Sequence, residues 1–121
     1  MSQRNVQMLP SAARTASQNS HVVGMHADES GAHIVIDVTA VAATPSVVPT
    51  VEGYDSVSGK WYDILVGVAI TATGTTVLKV GPGIGAVANG AANDFLPAQW
   101  RVAFVAADAD SMTYSVAANV F

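Results

Sequence analysis

The chain has 121 residues and a mass of 12.4 kDa, enough for one domain and too short for two. Half of it is apolar and only 12% is Lys, Arg, Asp or Glu, against about 25% in an ordinary soluble domain. Its net charge of −4, with five basic residues scattered singly, excludes the clustered cations that binding to nucleic acid requires, and the absence of Cys excludes disulfides and thiolate chemistry.

A monomer of this mass exposes roughly 6,100 Å² of surface, which leaves about one charged side chain per 440 Å². An average composition would give about one per 200 Å². A surface so thinly charged relies on Ser, Thr and Asn for solubility or is covered by neighbouring subunits, and coverage is the reading favoured here.

Residues 1–20, MSQRNVQMLPSAARTASQNS, are rich in Ser, Gln, Asn and Ala, with one short apolar patch from Val6 to Leu9. They lack the apolar core of a signal peptide and are interrupted by Arg4, Pro10 and Arg14, so secretion by that route is not expected. They read as an extended arm ordered by a neighbour. The predicted organisation is an N-terminal arm and loop over residues 1–28 and a β-sandwich domain over residues 29–121.

Beyond the arm the dominant signal is period-two alternation of β-branched residues. In AHIVIDVTA, Ile34, Ile36 and Val38 point to one side while His33, Val35, Asp37 and Thr39 point to the other, which predicts a strand with one buried face. VVPTVEGYD predicts a second strand, in which Pro49 implies an edge position or a bulge. The loop SVSG, with Gly59 supplying a positive φ, joins it to KWYDILVGVAI as a β-hairpin. TATG is a further tight connection before TTVLKV, with Gly74 as its left-handed residue. The window 64–80 is the most apolar, but it is under 18 residues long and broken by Gly67, Gly74 and several Thr, so it does not predict a membrane helix.

GPGIGAVANGAAND follows, and its Gly83, Gly85 and Ala88 match the G-x-G-x-x-A spacing of dinucleotide-binding folds, with Asp108 at the distance of the acidic partner. That chemistry needs a helix N-terminus after the glycines to hold the pyrophosphate. Asn89, Gly90, Asn93 and Pro97 are poor helix residues, so the segment reads as a loop that packs on a neighbouring chain or on the edge of its own sandwich. Two strands close the chain: QWRVAFVA, burying Trp100, Val102 and Phe104, and SMTYSVAANVF, burying Met112, Tyr114, Val116 and Val120, with the turn DADS between them. Six or seven strands without a helical segment predict an all-β fold, a single antiparallel β-sandwich or small jelly-roll-like barrel with an extended N-terminal arm.

Side chains able to do chemistry are few. His21, His26 and His33, with Asp28 and Glu29, have spacings that match no compact metal site and read as loop residues. Asp108 and Asp110 lack the bidentate Glu of a calcium loop, since residue 112 is Met. Glu52, Asp55 and Asp63 are surface acids around a hairpin, and no G-x-S-x-G turn or comparable nucleophile is present. Trp61, Tyr62, Trp100 and Tyr114 read as core or cross-strand packing before any stacking platform. No catalytic, cofactor-binding or metal site is expected, and an enzyme is not expected.

HIVIDVTAV (33–41), TPSVVPTVEGYDSVSGKWYDIL (44–65), ITATGTTVLKV (70–80) and ANDFLPAQWRVAFVAADADSMTYSVAANVF (92–121) together resemble a family of small tailed-bacteriophage virion proteins. The resemblance runs from about Leu9 to the C-terminus and is most specific in VSGKWYDIL, in ITATGTTVLKV and in the WRV, DADS and YSV segments. This chain departs from the family pattern at Gly81, where an aromatic often precedes Pro-Gly, and at Ala103, where a second basic residue often follows Trp-Arg-Val. The resemblance implies a head decoration, or cement, protein on the outer surface of the capsid. Its implied partners are the major capsid protein and neighbouring copies of itself, with a homotrimer as one candidate state, without direct contact to nucleic acid or membrane. A tail or baseplate subunit, and a host-surface or carbohydrate-binding module, are the alternatives.

Overall fold

Alternation of β-branched and aromatic residues with small polar ones gives each strand one face that must leave water, and two sheets meet on those faces. The computed structural model describes residues 3–121; Met1 and Ser2, the first residues of the expected arm, lie outside the described residues. The strands are β1 (Arg4–Arg14), β2 (Gln18–Asn19), β3 (Val23–Gly24), β4 (Ala32–Val41), β5 (Val47–Asp55), β6 (Lys60–Val66), β7 (Gly74–Val80), β8 (Ala91–Ala92), β9 (Gln99–Ala106) and β10 (Met112–Val120). Among the described residues there is no helix.

The first sheet has the order β1-β10-β4-β7-β8, and the second the order β2-β9-β5-β6 with β3 also pairing β9. All pairings are antiparallel except that of β7 with the short β8. The protein is therefore an all-β sandwich of two packed sheets and not a closed barrel. Between the sheets lie Ile34, Ile36 and Val38 of β4, Leu78 and Val80 of β7 and Met112, Tyr114, Val116, Ala118 and Val120 of β10. They meet Trp100, Val102 and Phe104 of β9, Val47 and Val51 of β5 and Leu65 of β6. The positions in β4 and β9, and Met112, Tyr114, Val116 and Val120 of β10, are those that the alternation grouped on one face, and each large side chain removed from water stabilises the fold by about 1.5–3 kcal/mol.

Three local features differ from expectation. Arg4–Arg14, placed in an arm by its composition, pairs along its length with β10, from Arg4 opposite Val120 to Arg14 opposite Met112, with register shifts around Leu9. Met8 and Leu9 enter the core through that irregular stretch, and they are all the apolar anchor an edge strand needs. The following residues turn to the second sheet, where Gln18 and Asn19 pair with Phe104 and Ala103, and Val23 and Gly24 with Trp100 and Gln99. One continuous segment therefore edges both sheets on the same side of the sandwich.

Secondly, β5 is an inner strand, flanked by β9 and β6, although it contains Pro49. The Pro49 carbonyl accepts from Gly67 N at 2.7 Å, just past the last residue of β6, so the donor that proline lacks falls where the ladder is ending. The register shift lies further on, between Val51 and Glu52. Thirdly, 67–73 and DADS carry the chain from one sheet to the other, whereas SVSG closes the expected hairpin within a sheet. Gly59 and Gly74 both have positive φ, of +72° and +136°.

Candidate functional site

The glycine run is held against the sandwich. Gly81 N donates to Ala92 O (3.1 Å) and Lys79 N to Gly90 O (3.0 Å), as β8 lies parallel to β7. Asn89, at φ +61°, donates its side-chain amide to Val66 O at 2.9 Å and so bridges to the end of β6, the outer strand of the other sheet. The loop thus packs on the edge of its own sandwich, one of the two packings expected for it. Gly83 takes φ +81°, and its N–H, which a phosphate would need, donates to Asn93 Oδ1 at 2.8 Å. No helix follows the glycines, and Asp108 lies in the β9–β10 connection, accepting from Asp110 N at 2.9 Å. The fingerprint is a spacing without the strand-helix geometry that holds a dinucleotide.

The histidines are not brought together. His21 follows β2, His26 lies in the turn after β3, and His33 stands on the outer face of β4 with its ring edge-on to Phe121 at 5.4 Å. Glu29 has a different partner: Arg4 reaches both its oxygens, at 2.8 and 3.0 Å, and His26 N donates to it at 2.7 Å. Its side chain is only 1% exposed, and the Arg4 hydrogen bonds, followed by the His26 amide, lower its pKa to about 2. This is a latch between the start of β1 and the turn at 26–29, with Arg4 also donating to Gly24 O at 2.9 Å. Among the described residues no group of three or more His, Cys, Asp or Glu could hold a metal ion.

The remaining acids serve local structure. Asp110 accepts from the amide and hydroxyl of Thr44, at 3.1 and 3.2 Å, joining two loops at one end of the sandwich. Asp55 caps its own turn by accepting from Ser58 Oγ (2.6 Å) and Val57 N (3.2 Å), and these bonds, the Ser58 hydroxyl first, lower its pKa. Glu52 stands opposite Asp63 in the β5–β6 register but is paired with Arg101 at 2.9 Å.

The aromatic residues divide by face. Trp100 and Tyr114 are buried, with Tyr114 tilted against Phe104 at 5.1 Å. Trp61 lies on the outer face of the second sheet, with the Arg101 guanidinium 4.0 Å above its ring and Tyr54 at 4.9 Å. This outer stack went unnoticed in sequence because its members come from three strands, and only the β9–β5–β6 register aligns them.

The outer face of the first sheet is sparsely charged, with Lys79 and Asp37 on it. Its cross-strand rows run Asn5, Asn119, His33, Lys79, then Gln7, Ala117, Val35, Val77. An open groove of about 470 Å³ beside the irregular part of β1 is lined by Asn5, Gln7, Ser115, Ala117 and Asn119, with Val6, Leu9 and Val116 below. All three arginines fold onto the protein's own surface: Arg4 on Glu29, Arg101 on Glu52 and Trp61, and Arg14 over the Tyr114 ring at 4.6 Å. The arrangement offers broad hydrogen-bonding and van der Waals contact. No family model, curated protein or solved structure matches the chain.

Proposed function

We propose that this chain is a non-enzymatic structural protein of a tailed-phage virion that binds the outer surface of the capsid shell as a decoration, or cement, protein. The observation that carries the reading is the sparse charge of the sandwich: fourteen charged side chains on 6096 Å² of accessible surface, with all three arginines drawn into internal contacts. Surfaces of that kind suit repeated contact with neighbouring subunits, where desolvating a charge would be costly. The resemblance of residues 33–121 to tailed-phage virion proteins supports the same class, and the acidic balance suits the outside of a shell better than a surface against DNA.

The mechanism is binding alone. A contact of about 800 Å² per partner, repeated around the shell, opposes the outward pressure of packaged DNA. Heads produced without the protein are expected to lose integrity at lower temperature and in chelator, and the purified chain is expected to saturate empty heads at a fixed ratio to the shell protein. Heads equally resistant with and without it would sink the cement role. Antibody labelling confined to the tail would move the protein to a tail or baseplate position.

The half-exposed Tyr54–Trp61 stack favours a second reading, a module that binds host-surface carbohydrate on its aromatic rings. Glycan-array binding that Trp61→Ala abolishes would establish it.

A further inference from the structure

We propose that Asn89–Gly90 is a site of spontaneous backbone-mediated modification, and that the side-chain bond from Asn89 to β6 controls its rate. The proposal does not depend on the virion reading. Asn89 is exposed, sits in a turn at φ +61°, and precedes the one residue type that leaves its own amide nitrogen unshielded. A Cβ added at Gly90 would find nothing nearer than Val87 Cγ1 at 3.7 Å, so no side-chain bulk crowds that position.

In the reaction the Gly90 amide nitrogen loses its proton and attacks Asn89 Cγ. A C–N bond forms, the Cγ–Nδ2 bond breaks, and ammonia leaves from a five-membered succinimide. Water then opens the ring at either carbonyl, giving aspartate or isoaspartate at position 89, with no change of oxidation state.

Two hydrogen bonds hold the reacting atoms apart from this course. Gly90 N donates to Val87 O at 3.0 Å, and Asn89 Nδ2, the leaving nitrogen, donates to Val66 O at 2.9 Å. Reaction therefore proceeds from the opened loop. Once the amide has become a carboxylate, position 89 has no donor for Val66 O and presents an acceptor to an acceptor, so the loop does not close again. The modification converts a clasp between the two sheets into a permanent opening beside Val66, Val68 and Val87, which are already 42%, 65% and 61% exposed.

The test compares the folded chain with the free peptide AVANGAANDF (residues 86–95) in mildly alkaline buffer, with mass-spectrometric mapping of aspartate and isoaspartate. The folded chain is expected to react at Asn89 about thirtyfold more slowly than the peptide, the factor that two ordinary hydrogen bonds supply. Gly90→Ala, which the loop accommodates, is expected to slow both at least about tenfold by crowding the nitrogen. Amide exchange at residues 66–68 is expected to rise several-fold in Asn89→Asp and to stay unchanged in Gly90→Ala. A folded chain that remains unmodified through many peptide half-lives, or that reacts as fast as the peptide, overturns the gated site. Unchanged exchange in Asn89→Asp overturns the release.

Discussion

A Cβ added at Gly53 would lie 2.7 Å from the ring and hydroxyl of Tyr62 and 2.8 Å from Pro97 Cγ. The Tyr62 ring can swing, but Pro97 is set by its backbone, so Gly53→Ala is expected to cost about 1–3 kcal/mol in denaturant unfolding. Gly85→Ala, where nothing lies within 4 Å, is expected to stay within about 0.5 kcal/mol of wild type. Glu29 gives a pH signature. Its folded pKa of about 2 lies below its ordinary 4.5, so its contribution is fully present above about 4.5 and is lost as pH falls through about 2. The stability difference between wild type and Glu29→Gln should therefore be largest near neutrality and vanish towards pH 2, and a pH-independent difference would contradict the latch. Neither contact was legible in the sequence, since each joins residues from separate elements that only the fold brings together. In the local hairpin the positive φ of Gly59 was legible, whereas Asp55 read only as a surface acid and its cap on Val57 N and Ser58 Oγ was not.

Among the elements, β4, β9 and β10 were readable because their inward residues alternate without interruption, and β5 was readable from its β-branched run although Pro49, Thr50 and Val51 are buried in succession. β1 was not, because its full burial is limited to Met8 and Leu9, with Val6 partly buried beside them, in a segment otherwise of polar and small residues, which is also the composition of a disordered arm. Pro49 misled in the other direction: it argues for an edge, yet it is tolerated inside the sheet where the β6 ladder stops. The two readings of the N-terminus separate in one experiment. An arm can be deleted without effect, whereas removing residues 1–14 takes Met8 and Leu9 from the core. Losses of about 2–5 kcal/mol for each large residue approach the whole margin of a small domain. The truncated chain is expected to show no cooperative unfolding transition by circular dichroism.

For the molecule as a whole, composition and alternation led to the all-β sandwich, but not to its connections. Turn residues at TATG and DADS mark where the chain reverses without marking whether it returns to the same sheet, and both turns proved to be arches between sheets. Asp110, Asp55, Glu29 and Glu52 respectively join two loops, cap a turn and hold Arg4 and Arg101. A protein of this kind would act through extended surface, and disruption should then need broad changes. On the row of Gln7, Ala117, Val35 and Val77, single alanine substitutions at Gln7, Val35 or Val77 are expected to leave affinity for empty heads within about threefold, while Ala117→Lys is expected to weaken it more than tenfold, as an unpaired charge at the centre of a contact does. Saturation binding that is indifferent to the lysine would place the contact on another face.

The pairing of Arg4 with Val120 also sets the order in which the molecule can be made. During synthesis β1 emerges first and must wait for β10, while β2 and β3 wait for β9, so the edge formed by the N-terminal segment cannot be added to either sheet until nearly the whole chain is available. Folding dominated by such distant pairings is slow, on the scale of milliseconds to seconds, and leaves apolar strands unprotected meanwhile. Pro10 on β1, a residue that cannot donate to a further strand, is well placed to discourage mispairing with other nascent copies during that interval.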